Sequence, residues 1–173
     1  MPDAVSEKAR YTQHQNTIED LGYISFLQKV IRPVSQYITP SLSCLDYGCG
    51  PSPVLAKMLA RDYQLKVQSY DPFFYPIALK EEYDMIFSTE VFEHFHQPAK
   101  EIERLHQLLK KGGYLGIMTN MYGKLEEFED WWYRRDVTHV SFYHPETFNF
   151  ITHKYGFKVC WQDYKQVIIL QKT

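Results

Sequence analysis

The chain has 173 residues, of which 45% are hydrophobic and 23% charged, enough for one domain (1–173) with a real core and without an internal shift that marks a second. A net charge of −2 argues against a nucleic-acid partner, which would call for a basic surface. Three scattered cysteines (Cys44, Cys49 and Cys160) with no Cys-x-x-Cys pair exclude a disulfide framework and speak against structural zinc; they read as reduced thiols of a cytoplasmic protein. The polar beginning, and the lack of any apolar run near about 18 residues, predict neither signal peptide nor membrane span.

Residues 1–15 are polar and read as mobile. From Asn16 onward Ile18, Leu21, Ile24, Leu27, Val30 and Ile31 fall close to helical spacing until Pro33, so residues 1–40 are expected to form a helical cap on or over the ligand site. A short apolar run, Ser43-Cys44-Leu45-Asp46, then breaks into Gly48-Cys49-Gly50-Pro51-Ser52-Pro53 and resumes with helical periodicity to about residue 62. That pattern is a strand, a tight turn and a helix N-terminus. Glycines there permit positive φ and close approach of a ligand, and the helix start offers unpaired N–H groups to an anionic or zwitterionic group.

A second strand, Lys66–Tyr70, ends at Asp71-Pro72, and a third, Tyr83–Ser88, follows about a dozen residues later. Pro98 opens an amphipathic helix carrying Ile102, Leu105, Leu108 and Leu109, with Lys110-Lys111 suited to its C-terminus and Gly112-Gly113 as its stop. Tyr114–Thr119 reads as a strand. Residues 120–144 form an aromatic and charged insertion with helical character expected near 126–133. A helix from Pro145 to Tyr155, closed by Gly156, leads into a terminal hairpin of Phe157–Trp161 and Gln166–Gln171. Strands that alternate with helices until a final hairpin imply an α/β fold, a mainly parallel sheet with an antiparallel edge. Asp46, Asp71, Ser88-Thr89-Glu90 and Thr119-Asn120 fall at the carboxyl ends of strands, where such folds bind ligands.

The ordered set Leu45-Asp46-x-Gly48-x-Gly50, Asp71, Glu90-Val91-Phe92-Glu93-His94-Phe95 and Leu109-Lys110-Lys111-Gly112-Gly113 resembles class I S-adenosylmethionine-dependent methyltransferases, in detail the small bacterial type 11/12 proteins. The likeness spans about residues 43–170, and the segments His14-x-Asn16 and Arg135-Asp136-x-Thr138-His139 add to it. It implies a Rossmann-like three-layer sandwich with a shortened third-strand region, binding S-adenosyl-L-methionine. It also implies roles. Gly48, Cys49 and Gly50 would line the methionine part, with Asp46 organising the turn and favouring the ammonium. Asp71 would hold the ribose hydroxyls, Pro72 and Phe73 would meet the adenine edge, and Ser88, Thr89 and Glu90 would close the pocket under the sulfonium. Apart from the resemblance, position and a near-neutral pKa make His94 the first choice of general base and His139 the second, and Tyr11, His14, Asn16, Trp131 and Arg135 are expected on the side of a substrate that is a small molecule rather than a protein. In place of the family's third glycine stands Ser52, small enough to keep the turn and able to cap the next helix.

Each signal has a plainer counterpart. Asp71 before a proline is also a turn former. His94 and His96, two apart, do not share a helix face, so a metal pair is the poorer reading and no metal is expected. Arg134 and Arg135 beside Trp131 and Trp132 make either a solvated face or a lid over an acidic or aromatic substrate. At the level of function, an inactive cofactor-binding regulatory or partner subunit is the alternative to methyl transfer. A nicotinamide-dependent oxidoreductase shares the glycine turn but not the later motifs.

Overall fold

A computed structural model describes residues 4–12, 16–79 and 82–173, with side chains from Glu7 onward in the first stretch. The described residues contain helices α1 (Ala4–Thr12), α2 (Leu21–Val34), α3 (Val54–Tyr63), α4 (Pro98–Leu108) and α5 (Pro145–Tyr155). They also contain strands β1 (Ser43–Tyr47), β2 (Lys66–Tyr70), β3 (Tyr83–Thr89), β4 (Leu109–Met118), β5 (Phe157–Gln162) and β6 (Val167–Lys172). The strands form one sheet in the order β2-β1-β3-β4-β6-β5, the first four parallel and β6 antiparallel to both β4 and β5. The mainly parallel sheet with its antiparallel hairpin is therefore as expected.

Strand alternation divides the core into two layers. Leu45, Ile86, Leu115 and Ile168 pack with Ile102 and Leu105 of α4 and with Phe148 and Ile151 of α5. Cys44, Met85, Phe87 and Ile169 pack on the other side with Leu27, Val30, Ile31 and Val34 of α2 and with Val54, Leu55, Met58 and Leu59 of α3. The α2 set recurs at i, i+3, i+4 and i+7, so one helical stripe is buried, each large apolar side chain contributing about 1.5–3 kcal/mol. Asp20 caps α2 by accepting the Tyr23 amide at 3.0 Å, and Pro33 lies one residue from the helix end, where the chain tightens into a 3-10 turn at Ser35–Tyr37. Pro145 and the left-handed Gly156 (φ 72°) bound α5 as the sequence suggests.

Strand order reverses at β1, with β2 on one side and β3 on the other. The crevice beyond the carboxyl ends of β1 and β3 is thus the place for a ligand.

Several local expectations change. Lys110-Lys111-Gly112-Gly113 does not end a helix. α4 stops at Leu108, Leu109 already pairs with Tyr83, and the ladder shifts register before Met85 pairs with Tyr114. Gly112 takes φ 78°, and a Cβ on Gly113 would stand 2.9 Å from the Asp84 carbonyl oxygen, so these glycines shape a bulge at the start of β4. Near residues 126–133 there are only two short 3-10 turns, Leu125–Glu127 and Trp132–Arg135. Among the described residues no strand lies between Asp71 and Tyr83. Residues 72–79 form a loop tied by an Asp71–Tyr75 bridge, leaving β2 at the sheet edge with Gln68 donating to the Ala78 carbonyl. Finally, part of the polar N-terminus is the ordered helix α1, which lacks an apolar stripe long enough to announce itself.

Candidate active site

A cavity of about 800 Å³ opens at the reversal point, within the ~300–1,000 Å³ usual for small-ligand sites. Its floor is the turn after β1. Gly48 (φ 81°) and Cys49 both donate their amides to the Tyr70 carbonyl, at 2.7 and 3.1 Å, locking the turn to the end of β2. A Cβ on Gly48 would lie 2.4 Å from Val91 Cγ2, whereas one on Gly50 (φ 65°) would meet nothing within 4 Å. Gly48 therefore serves close packing and Gly50 leaves open space above the floor. Ser52 does not cap α3 with its side chain, and Pro53 holds the cap position. The buried Asp46 carboxylate accepts the Ala56 amide instead; burial, opposed by that bond and reinforced by Asp71, pushes its pKa up to about 7.

Asp71 lines the cavity, and its carboxylate is already occupied by backbone amides. Oδ1 accepts from Phe73 and Phe74 at 2.8 and 3.1 Å, and Oδ2 accepts from Gly50 at 3.1 Å. The turn-forming role is thus real, and of about four lone-pair sites these bonds leave one. Pro72 and Phe73 line the wall, and the Tyr11 and Phe73 ring centroids are 5.9 Å apart. Cys49 is on the wall too, but burial and the neighbouring Asp46 and Asp71 push its thiol up, so it stays protonated.

Thr89 and Glu90 line the cavity; Ser88 does not. Strand alternation turns the Ser88 side chain to the face opposite Thr89, where it is fully buried and its hydroxyl has no partner. Glu90 sits at positive φ (53°) with its amide donating to the Met118 carbonyl. Burial and the charge of Glu93 raise its pKa to about 8. Glu93, wholly buried, accepts from the Tyr133 hydroxyl at 2.5 Å and from Thr119 Oγ1 at 2.8 Å, and its pKa too is raised by burial.

The two imidazoles lie side by side on the cavity wall. The His94 and His139 ring centroids are 4.9 Å apart, and Tyr11 of α1 stands edge-on to His94 at 5.2 Å. Nδ1 of His94 is 2.9 Å from the Thr138 carbonyl, and Nδ1 of His139 is 2.7 Å from the Tyr133 carbonyl. Burial lowers the pKa of His139.

Above them α1 forms a lid. Arg10 pairs with Asp136 at 3.0 Å, Glu7 approaches His96 at 3.7 Å, and the Lys8 ammonium lies 5.7 Å from the Phe74 ring centre. Asn16 lines the cavity and hydrogen-bonds the Tyr23 hydroxyl. His14 lies outside the described residues. Trp131 and Arg135 are not on the cavity wall. Trp131 packs among Phe128, Tyr133 and Phe142, where aromatic burial holds it, and Arg135 is exposed with Nη2 3.5 Å from the Asp130 carbonyl. Arg10, Tyr23, Phe26, Glu93 and Thr138 belong to the wall and were not expected there. Glu93 and Thr138 carried a usable signal, since both fall inside the motifs of the family likeness. The others depend on contacts between distant segments.

An open space above a glycine turn, an acidic floor from Asp46, Asp71 and Glu90, and aromatic walls suit a nucleoside-type ligand with a cationic end, and so fit the cofactor that such a fold implies. These features define a Rossmann-like site for a nucleoside-type ligand. The family described as a methyltransferase domain matches residues 19–161. A SAM-dependent methyltransferase from Archaeoglobus fulgidus superposes with a TM-score of 0.62 at 16% identity, covering 86% of this chain and 94% of that one. One from Thermotoga maritima gives 0.59 at 18% identity over 98% and 95%. Phosphoethanolamine N-methyltransferase 2 of Haemonchus contortus, bound to phosphomonomethylethanolamine and S-adenosylhomocysteine, gives 0.61 at 16% identity over 91% of this chain and 47% of that one. Such identities speak for the fold. Among curated proteins no significant sequence match is found. The chain belongs to the methyltransferase-domain family, and its fold is the one shared by the S-adenosylmethionine-dependent methyltransferases above.

Proposed function

We propose that the chain transfers a methyl group to an oxygen, nitrogen or carbon nucleophile of a small molecule seated beside His94 and His139. The observation that carries this is the cavity itself: both imidazoles line one space of about 800 Å³ beside α1, a volume that suits two small ligands. The cofactor supplies an electrophilic methyl group when bound. Gly48, Cys49 and Gly50 would line its methionine end, Asp46 and Glu90, as they ionise, would favour its positive charges, and Asp71 would accept from a ribose hydroxyl while Phe73 would cover the base.

His94 is the general base of first choice and His139 the second. Each ring donates through Nδ1 to a carbonyl, so Nε2 is the nitrogen that takes the acceptor's proton. Burial keeps His139 neutral and able to accept. Tyr11 and the α1 lid exclude water and hold the acceptor in line, which is most of what methyl transfer asks of a protein.

Calorimetric titration with S-adenosylhomocysteine tests the assignment. Saturable binding is expected, and Asp71→Ala should weaken it by about 10–100-fold, since a charged acceptor bond and the amide scaffold of the turn are lost together. Undiminished binding in that variant would sink the role given to Asp71.

A further inference from the structure

Glu93, His94 and His139 each offer one donor atom, all within 4.8 Å of one another, and all three side chains line the cavity. The histidine spacing in the sequence pointed elsewhere: His96, two residues from His94, turns to the rim and approaches Glu7 at 3.7 Å. The fold replaces it with His139, carried in by the segment that follows Tyr133.

The neighbours of each donor orient it for ligation. A carbonyl oxygen only accepts, so His94 donates Nδ1–H to Thr138 and His139 donates Nδ1–H to Tyr133. In a neutral ring that makes Nε2 the lone-pair nitrogen. An imidazole whose other N–H is held by a backbone carbonyl is the arrangement found around metal-bound histidines. Glu93 is braced in the same way, with Tyr133 and Thr119 donating to its two oxygens. Among the described residues no lysine or arginine forms an ion pair with this fully buried carboxyl group, which is therefore either held protonated by its burial or charged against a metal ion.

We propose that Glu93, His94 and His139 bind one divalent transition cation of the zinc or cobalt type. Two imidazole nitrogens and one carboxylate favour that class over magnesium and calcium, which take oxygen ligands. Ligands on one such cation sit about 2.1 Å from it and hence roughly 3–3.4 Å from each other, so the cluster closes by side-chain rotations of about an ångström. Three protein ligands leave a coordination position toward the cavity. An acceptor hydroxyl bound there is acidified by the cation. Its proton leaves to solvent, the new C–O bond forms as the C–S bond to the transferred methyl breaks, and the sulfonium becomes a thioether. The cation then takes over the task of the bare imidazoles. This consequence rests on the methyl-transfer reading; the binding of the cation does not.

The test uses the full chain, stripped of metal by chelation and dialysis, with no cofactor added. CoCl2 is titrated while visible d–d absorption is followed, and ZnCl2 is then added to displace it. Uptake of one equivalent with nitrogen-ligated cobalt bands is expected. His94→Asn and His139→Asn should each weaken it at least about tenfold, and His153→Asn, on the exposed side of α5, should leave it unchanged. The proposal is overturned by the absence of saturable uptake below about 1 mM, or by uptake that survives in a folded His94→Asn/His139→Asn double variant. Should those variants fail to fold, diethylpyrocarbonate labelling of the wild-type chain decides: ZnCl2 is expected to protect His94 and His139 but not His153, and equal labelling of all three overturns the proposal. S-adenosylhomocysteine titrated separately into the stripped protein reports on the methyl-transfer reading alone.

Discussion

The floor of the cavity and its roof are built in opposite ways. The floor comes from a short contiguous stretch, Asp46 to Gly50, clamped by backbone amides to the adjacent strand end at Tyr70 and Asp71. The roof joins α1, the turn Phe92–His94 and residues 133–139, segments far apart in the chain, through side-chain contacts such as Arg10–Asp136 and Tyr11–His94. A backbone-built floor depends on a few left-handed conformations that glycine adopts at least cost. A side-chain-built roof can change its occupant without disturbing the sheet, which is how one fold serves many acceptors.

The largest effects should separate the two regions by function. His94→Asn and His139→Asn are expected to lower the rate of methyl transfer by about 10²–10⁴-fold, the usual worth of a positioned base, with S-adenosylhomocysteine affinity nearly unchanged. Equal losses of rate and cofactor affinity would show that roof and floor are not independent. Within the floor, the two glycines should part company. Gly48→Ala strains a positive φ and drives into Val91, so thermal unfolding should record a loss of about 2–4 kcal/mol. Gly50→Ala meets only open space and should cost about 1 kcal/mol while narrowing the cavity and weakening cofactor binding.

A smaller effect is electrostatic. Asp46 titrates near 4 in an unfolded chain and at about 7 in the folded one, so the folded state holds the proton more tightly. Its contribution to stability is complete below the unfolded pKa and is lost as pH rises through the folded value. The melting temperature of the ligand-free protein should therefore fall by several degrees between about pH 5 and pH 8, and Asp46→Asn should flatten that slope. The smallest effect is expected at the lid. Arg10→Ala removes a partly exposed ion pair worth about 0–1 kcal/mol, so cofactor affinity should drop only a few-fold, and high salt should mimic the change in the wild type.

Much of the floor was legible from residues alone because its rules are local. The glycine pattern after an apolar run identifies the turn, and the acid at the next strand end follows from the geometry of parallel α/β units. The same locality misled at Lys110-Lys111-Gly112-Gly113, where a good helix ending is instead a bulge, since pairing of Leu109 with Tyr83 outweighs the local preference. Trp131 and Arg135 were assigned to the substrate by their type. Their type is equally served by an aromatic cluster and by solvent, and tertiary packing chose those.

The order of strands and helices from α2 onward, the glycine turn and the acids of the floor were determined by the sequence by itself, because each rests on periodicity or on one residue's backbone chemistry. Only the tertiary structure decided that α1 closes the cavity, that Ser88 faces away from it, and that Glu93, His94 and His139 meet. Those outcomes depend on which side chain of one segment reaches which side chain of another. Chain spacing carries no record of that distance until the sheet is assembled.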